Sequence, residues 1–185
     1  MRVMIFDRME ECTETEVQRM LPLVSVQRRE QALQYKHLFG QFCCLKSWLM
    51  LMKELASEGV SEVEDFKYNE HGKPYIENGP YFSISHCKQG IAVALDNEPI
   101  GIDIETIRHA DEDLIARTMN AAERLRIRGV GEREFTRLWT QKEAIVKAQG
   151  VGIRSFEQLQ TTLENGDWKL ESFETPNYIY SIAHK

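Results

Sequence analysis

The chain has 185 residues, of which 42% are hydrophobic and 28% charged, a composition typical of a globular protein. It contains no run of about 18 apolar residues that could span a bilayer, and its net charge of −6 argues against general nucleic-acid binding. The cysteines show no metal-binding spacing and the short N-terminal apolar run does not resemble a signal peptide. We therefore expect reduced thiols in a cytoplasmic protein.

The N-terminal part of the chain is predicted to combine one strand with two helices. Residues 1–7 have the pattern of a first β-strand, and a short helix carrying Arg28 and Arg29 follows. Farther along, apolar residues recur at steps of four and three, which predicts an amphipathic helix ending near Gly59. Its apolar face comprises Leu38, Phe42, Leu45, Leu49 and Met52.

The middle of the chain is predicted to be a run of strands. Residues 66–68 form a short strand, and residues 81–86 alternate apolar and polar side chains as a half-buried strand does. Residues 91–95 are continuously apolar. The turn at 96–99 is expected to join them to a strand at 100–105 and so form a β-hairpin.

Helices return in the last part of the chain. They are predicted at residues 111–128 and 134–149, and Gly150 ends the second. The tail from 161 to 183 alternates enough for two or three strands around an Asn165-Gly166 turn signal. This mixture of helices and strands predicts an α+β fold.

Three carboxylates and a lysine have a spacing that suits chemistry. Asp103 and Glu105 alternate with isoleucines on a predicted strand and so project from one face, whereas Glu143 and Lys147 share a helix face. Carboxylates about 4 Å apart repel by about 4 kcal/mol at an effective dielectric constant near 20, so their convergence would require a protonated group or a cation such as Mg²⁺. Spacing alone leaves open a simpler reading, in which the strand carboxylates face solvent and Glu143 pairs with Lys147.

Polar residues elsewhere could bind an anion. Ser85 and His86 lie at the end of a predicted strand, where a protonated histidine could pair with phosphate, and Lys73 lies in a Gly-Lys-Pro turn. Residues 117–137 hold six arginines against three glutamates, a net +3 that leaves −9 for the remainder. This basic strip predicts either an acidic macromolecular partner or a solvated helix face. Its arginines are Arg117, Arg124, Arg126, Arg128, Arg133 and Arg137.

In their order along the chain, these motifs resemble those of the phosphopantetheinyl transferases, and most closely their Sfp-type branch. They are Gly72-Lys73-Pro74, Phe82-Ser83-Ile84-Ser85-His86, Ile100-Gly101-Ile102-Asp103-Ile104-Glu105, and Trp139-Thr140-Gln141-Lys142-Glu143-Ala144 with Lys147 and Gly150-Val151-Gly152. The resemblance implies two similar α/β lobes related by a pseudo-twofold axis, each a helix packed on a small, mainly antiparallel sheet. The lobes would be residues 1–98 and 99–185, with the active site at their interface.

The resemblance also implies a role for each candidate residue. The Mg²⁺ ligands would be Asp103, Glu105 and Glu143, and the catalytic residues Glu143 and Lys147. The coenzyme A phosphates would be bound by Ser85, His86 and Lys147, with Lys73 near the adenine end and Arg28 and Arg29 in the stretch that binds the 3′-phosphate. One arginine usual in that stretch is Gln41 here, which leaves the 3′-phosphate contact open, and Lys36 is a candidate replacement.

The implied reaction moves 4′-phosphopantetheine from coenzyme A to a serine of an acyl or peptidyl carrier protein and releases 3′,5′-ADP. Carrier proteins are commonly acidic, which suits docking on the basic strip, and two lobes in one chain make a monomer sufficient. Two other functions remain open. One is another Mg²⁺-dependent phosphate enzyme, such as a nucleotide pyrophosphohydrolase, and the other is a non-enzymatic coenzyme A-binding protein in which Gln41 marks lost activity.

Overall fold

Two three-stranded antiparallel sheets and two long helices form the framework of the protein. The structure is a computed structural model and describes residues 1–57, 59–60, 66–153, 155–164 and 166–185. The strands are β1 (Arg2–Phe6), β2 (Lys67–Tyr68), β3 (Pro74–Tyr75), β4 (Tyr81–Cys87), β5 (Gly90–Asp96), β6 (Ile100–Thr106), β7 (Lys169–Glu174) and β8 (Tyr178–His184). The α-helices are α1 (Glu14–Met20), α2 (Val26–Leu33), α3 (Leu38–Ser57), α4 (Glu112–Thr118), α5 (Ala121–Val130), α6 (Glu132–Gln149) and α7 (Phe156–Gln160).

The long helix α3 packs on the first sheet, whose strand order is β1-β5-β4. Apolar residues recur along α3 at helical spacing, and Phe42, Leu45 and Leu51 are fully buried. Val93 of β5 lies in the same core cluster, so this face of the strand points toward the helix. The helix predicted from the apolar spacing is confirmed, and it ends at Ser57, just before Gly59.

Helix α6 packs on the second sheet, of order β6-β8-β7. Gly101 of β6 permits a very close approach, because a Cβ atom there would lie 1.9 Å from the Ala144 carbonyl oxygen and 2.5 Å from the Ala148 nitrogen. The strand and helix backbones therefore touch, which holds the side chains that follow Gly101 against α6. The helix ends at Gly150, whose φ of 72° is the left-handed conformation expected of a terminal glycine.

The two sheets stack on each other between the helices. Ala92 and Ala94 of β5 share a buried cluster with Ile102 and Ile104 of β6, so alternate β5 residues face α3 and the second sheet. The layers are thus helix, sheet, sheet, helix, and the α+β prediction is confirmed. The pseudo-twofold relation between two lobes, and a boundary between residues 98 and 99, stay predictions.

The predicted hairpin between residues 91–95 and 100–105 is wrong. Strand β5 pairs on one side with β1 and on the other with β4, so both of its edges are occupied when the chain leaves it. Strand β6 pairs instead with β8, in the second sheet. The turn at 96–99 is therefore a crossing between sheets, a long-range choice that local turn residues do not reveal.

Two further predictions are confirmed only in part. The helix expected at 111–128 is two helices, because Asn120 starts α5 with a capping box in which its side chain and that of Glu123 each bind the other's backbone nitrogen. The tail holds two strands, β7 and β8, and Thr175 lies at the turn between them, where its hydroxyl donates to the Tyr178 carbonyl at 3.0 Å. Asn165 of the expected turn lies outside the described residues. Over the described ranges, no helix is both long and apolar enough to cross a membrane.

Candidate active site

A cavity of about 390 Å³ opens between the two halves of the chain. One wall is the turn between β2 and β3 together with β4, and the other is the C-terminal part of α6 and the loop after it. The lining residues are His71, Gly72, Lys73, Pro74, Phe82, Ser83, Ile84, Glu143, Val146, Lys147, Gly150, Gly152 and Ile153. The cavity therefore draws together the Gly-Lys-Pro turn, the serine strand and the Glu143–Lys147 face that the sequence singled out.

Two serines of β4 connect the sheets beside this cavity. Ser83 Oγ accepts a hydrogen bond from the Ile102 backbone nitrogen at 3.1 Å, and Ser85 Oγ donates to Asp103 Oδ1 at 2.8 Å. Because β4 side chains alternate, both hydroxyls point to the same side, toward β6. The serines thus fix the edge of the second sheet that carries the aspartate.

Lys147, whose side chain is about one-third exposed, joins the buried Asp103 and Ser85 in one polar cluster. Its Nζ donates to Asp103 Oδ1 at 2.6 Å and to Ser85 Oγ at 2.9 Å. Asp103 is only 3% exposed, and its other oxygen, Oδ2, is buried with no hydrogen-bond partner among the described residues. A buried carboxylate oxygen without a donor favours a further cationic or hydrogen-bonding ligand at this point.

The two glutamates near Asp103 hold their protons unusually tightly. Burial first, and then the charges of Asp103 and Glu105, raise the pKa of Glu143 to about 7, against the opposing effect of Lys147. Burial and Asp103 also raise the pKa of Glu105, with Arg108 and Lys147 acting in the opposite direction. Since the carboxylates repel one another, the three predicted residues act as one electrostatic group.

The three carboxylates are chemically suited to a divalent cation, but they do not form a complete coordination shell. Within the described ranges, no three His, Cys, Asp or Glu side chains are arranged so that they could hold a metal ion. The donors available are all carboxylate oxygens, which Mg²⁺ prefers, and Asp103 Oδ2 lacks a partner in the described part of the chain. The repulsion that raises the pKa values of Glu105 and Glu143 is also what a cation would relieve.

His86 lies next to the polar cluster. Its ring is exposed and packs edge-on against Phe39, with ring centroids 5.8 Å apart. Partial desolvation and the nearby Lys147 lower the pKa of His86 below its usual range. The histidine is therefore mostly neutral at neutral pH and offers a hydrogen bond rather than a full charge.

Lys73 lines the cavity, but its ammonium group bonds to backbone carbonyls. Its Nζ lies 3.3 Å from the Ala148 oxygen and 3.4 Å from the Ile100 oxygen, both in the second half of the chain. Burial lowers the pKa of Lys73 to about 8. Asn69 accompanies it and donates to the Gly150 carbonyl at 2.9 Å, a contact that sequence reasoning missed. An asparagine just before a glycine turn was the available signal.

The structure does not bring Arg28 and Arg29 to the cavity lining. Arg28 is 4% exposed, and its guanidinium lies 4.3 Å and 4.5 Å from the ring centres of Trp48 and Phe66. Arg29 donates to the Leu21 carbonyl at 3.1 Å. These contacts anchor α2 to its surroundings.

Gln41 and Lys36, the other positions considered for the 3′-phosphate, lie near the start of α3. Gln41 donates its side-chain amide to the Tyr35 carbonyl at 2.9 Å, so it holds the segment that precedes the helix. Lys36 is exposed in that same segment. A 3′-phosphate contact by any of these side chains stays a prediction.

A chain of three hydroxyl groups, two of them buried, fixes α6 on the second sheet, and sequence reasoning missed it. Thr140 donates to the Arg137 carbonyl at 3.0 Å and so accepts from Ser181, 2.7 Å away. Ser181 lies 2.9 Å from Ser172, which accepts from Gln141 at 2.9 Å. Because Ser181 is directly opposite Asp103 in the strand register, the chain sets the helix against the strand that carries the site.

The predicted basic strip divides into two parts in the structure. Glu134, which is 1% exposed, forms ion pairs with two arginines, Arg137 and Arg126, the latter at 2.5 Å. Arg133 lies 3.6 Å from Glu174. These arginines are neutralised within the protein. Arg124 and Arg128, one turn apart on α5, form no ion pair within the described residues, and they flank Leu125, which is 68% exposed.

The fold and the site together define an α+β protein whose acidic, lysine-bearing cavity lies between two sheet-and-helix halves. A sequence model of the 4′-phosphopantetheinyl transferase superfamily matches residues 99–180. The chain is similar to this superfamily over that range, and the resemblance of its motifs to those of the family is confirmed.

Several curated relatives carry the same name. A 4′-phosphopantetheinyl transferase of Bacillus subtilis is 30% identical over 150 residues, which are 75% of this chain and 65% of that protein. The transferase gsp of Aneurinibacillus migulanus is 29% identical over 64% of this chain and 50% of its own length. AcpT of Salmonella typhi is 34% identical over 63% of this chain and 65% of that protein. The chain thus spans between one half and two thirds of the length of these relatives.

Proposed function

We propose that the protein transfers the 4′-phosphopantetheine arm of coenzyme A to a serine hydroxyl of an acyl or peptidyl carrier protein. The observation that carries the proposal is the cluster formed by Asp103, Ser85 and Lys147 beside Glu143, at the mouth of a cavity between the two halves. The match to the superfamily and the names of the relatives support the same reaction.

In this proposal the cavity binds coenzyme A by its phosphates. Lys147 offers hydrogen-bond donors to the pyrophosphate, and His86 adds a further donor close by. Ser85 would join them when its hydroxyl turns from Asp103 Oδ1 toward a phosphate oxygen. Lys73 also lines the cavity, and we assign it to the adenine end. The cavity and these donors together hold the phosphorus atom in line with the incoming hydroxyl, and such alignment is a large part of catalysis in phosphoryl transfer.

The carrier serine attacks the phosphorus that bears the pantetheine arm. A new oxygen–phosphorus bond forms, the bond to the inner phosphate breaks, and 3′,5′-ADP leaves with the electron pair. Glu143, a carboxylate that lines the cavity, accepts the serine proton. Lys147 stabilises negative charge on the departing phosphate.

Mg²⁺ belongs to the proposal as the cofactor. Asp103, Glu105 and Glu143 would hold it, and it would neutralise charge on the pyrophosphate. The unpartnered Asp103 oxygen and the raised pKa values of the two glutamates support this assignment.

The carrier protein is proposed to dock on α5. Arg124 and Arg128 present two charges that are not used inside the described part of the protein, with exposed Leu125 between them. A shallow cavity of about 350 Å³ lies beside them. An acidic helix with an apolar residue at its centre fits this surface. The docking site is thus narrower than residues 117–137, because three of the six arginines there pair with glutamates.

The docking site is tested by reversing one charge at a time. Arg124→Glu and Arg128→Glu should each raise the KM for the carrier by roughly tenfold and leave the KM for coenzyme A unchanged. Arg19→Glu, on the exposed face of α1, is the matched control and should change neither value. An unchanged carrier KM in both α5 variants would contradict docking on this surface.

The reaction itself is tested by intact-mass spectrometry of apo carrier protein incubated with this protein, coenzyme A and Mg²⁺. We expect a gain of one phosphopantetheine mass that disappears with EDTA, together with release of 3′,5′-ADP. Release of 3′,5′-ADP without a carrier would favour a pyrophosphohydrolase. Binding of coenzyme A without transfer to acyl or peptidyl carriers would favour a non-enzymatic binding protein. We also propose that the protein acts in the cytoplasm and that it is a monomer. Sedimentation with and without the carrier protein would test the oligomeric state.

A further inference from the structure

Asn69 organises the turn that forms one wall of the cavity. Its Oδ1 accepts hydrogen bonds from the backbone nitrogens of His71 at 2.9 Å and Lys73 at 2.8 Å. Its own backbone nitrogen donates to the Lys73 carbonyl at 3.0 Å, and its carbonyl accepts from Gly72 at 2.9 Å. One asparagine therefore fixes the shape of the whole turn between β2 and β3.

The same side chain also reaches the opposite wall. Asn69 Nδ2 donates to the Gly150 carbonyl at 2.9 Å, across 81 positions of sequence. Lys73 adds two longer contacts, to the Ala148 and Ile100 carbonyls at 3.3 Å and 3.4 Å. A lysine ammonium at the C-terminal end of α6 is also favoured by the helix dipole. We call these cross-cavity hydrogen bonds the wall contact.

Gly150 is shaped to receive this contact. Its φ of 72° suits glycine, and a Cβ atom there would lie 3.1 Å from Lys73 Cδ and 3.3 Å from Asn69 Nδ2. Because Gly150 has no Cβ atom, the end of α6 and the turn between β2 and β3 pack more closely than a residue with a side chain would permit. The glycine that ends the helix also makes room for the opposite wall.

We propose that Asn69 is a positioning residue that sets the spacing of the two cavity walls and thereby the affinity for the nucleotide part of coenzyme A. The inference rests on the proposed function for the identity of the ligand. Asn69 does not itself line the cavity. It acts through Lys73, which lines one wall, and through Gly150, which lines the other.

One substitution separates shaping of the turn from joining of the walls. In Asn69→Asp the carboxylate can still accept from the His71 and Lys73 nitrogens, but it cannot donate to the Gly150 carbonyl and faces that oxygen with a negative charge. A residue that only shapes the turn would tolerate this change. Asn97→Asp, in the exposed turn after β5, is the matched control because it makes the same chemical change far from the wall contact.

The test is calorimetric binding of coenzyme A to both variants and to the unchanged protein, combined with steady-state transfer. We expect Asn69→Asp to weaken coenzyme A binding by about tenfold, the effect of losing one good hydrogen bond, with kcat at saturating coenzyme A within about twofold. The Asn97→Asp variant should bind as the unchanged protein does. Binding by Asn69→Asp within twofold of the unchanged protein would overturn the proposal.

Amide hydrogen exchange, measured without ligand, tests the wall contact independently of the proposed function. Asn69→Asp should accelerate exchange at the C-terminal end of α6 and leave the turn between β2 and β3 as protected as before. Unchanged exchange at that helix end would refute the wall contact, whatever the ligand. If the unchanged protein binds no coenzyme A, the proposed function fails, and hydrogen exchange alone then decides whether Asn69 joins the walls.

Discussion

The two lysines of α6, Lys142 and Lys147, lie five residues apart in one motif and have opposite environments. Lys142 is fully buried and donates to Glu123 Oε2 at 2.7 Å and to the Thr118 and Leu159 carbonyls at 3.0 Å and 2.6 Å. Lys147 is about one-third exposed at the cavity and donates to Asp103.

The comparison contrasts a charge that is satisfied within the protein with a charge that is open to a ligand. The partners of Lys142 are two backbone carbonyls and a carboxylate that is itself held in the capping box of α5, so the group is satisfied within the protein. The partner of Lys147 is a buried aspartate with an oxygen that has no donor among the described residues, next to a glutamate whose pKa is raised to about 7. A group left incompletely satisfied at a cavity is the one available to a ligand.

The largest expected effect is loss of stability in Lys142→Met. Removing one member of a buried ion pair leaves Glu123 without its counter-charge, which costs about 3–5 kcal/mol of the free energy of unfolding. Chemical denaturation measures it directly. Lys147→Met, at the open cavity, should lose clearly less stability, and equal losses in the two variants would break the comparison.

The next effect concerns activity in Lys147→Met. Loss of the donor to the phosphates should reduce the transfer rate on the order of 10²-fold at saturating substrates, as loss of other groups that stabilise developing charge does. The measurement is the initial rate of carrier modification. Lys73→Met, which removes a cavity lysine that does not contact the carboxylates, should instead change mainly the KM for coenzyme A. A rate in Lys147→Met close to that of the unchanged protein would remove this lysine from catalysis.

The next prediction concerns the pKa of Glu143, which lies beside Lys147, and its effect on stability. The pKa of Glu143 is raised from 4.5 to about 7 in the folded protein, so the folded state binds more protons than the unfolded state between these values. Its contribution to stability is therefore present at low pH and is lost as pH rises through 7. In EDTA, Glu143→Gln should be more stable than the unchanged protein by about 3 kcal/mol at pH 8 and nearly equal to it at pH 4. A pH-independent difference would contradict the raised pKa.

Much of the site was predictable because it depends on local spacing. The alternation that places Asp103 and Glu105 on one strand face, and the helical step from Glu143 to Lys147, are properties of single elements. The α+β class and the helix at α3 follow from periodicity in the same way. The structure also shows that Lys142 and Lys147 have different neighbours, as two helix faces require.

What the sequence could not provide was the choice of long-range partners. Strand β6 joins β8 rather than β5 because β1 and β4 already occupy both edges of β5, a fact about pairing over many residues. The bonds from Asn69 to Gly150 and from Ser181 to Thr140 arise from the same packing of distant segments. The packing of Arg28 between the rings of Trp48 and Phe66 is likewise a contact between distant segments, and its predicted role in phosphate binding stays a prediction.

The most direct test of the central claim is carrier modification by Asp103→Asn, followed by intact-mass spectrometry beside the unchanged protein over a range of Mg²⁺ concentrations. The claim is that the carboxylate cluster at the cavity performs the transfer. We expect the substitution to keep the fold, checked by circular dichroism, and to reduce the transfer rate by at least about 10²-fold, because it removes the charge that Lys147 and a cation both require. Transfer at an unchanged rate with an unchanged Mg²⁺ requirement would exclude Asp103 from the site and contradict the account.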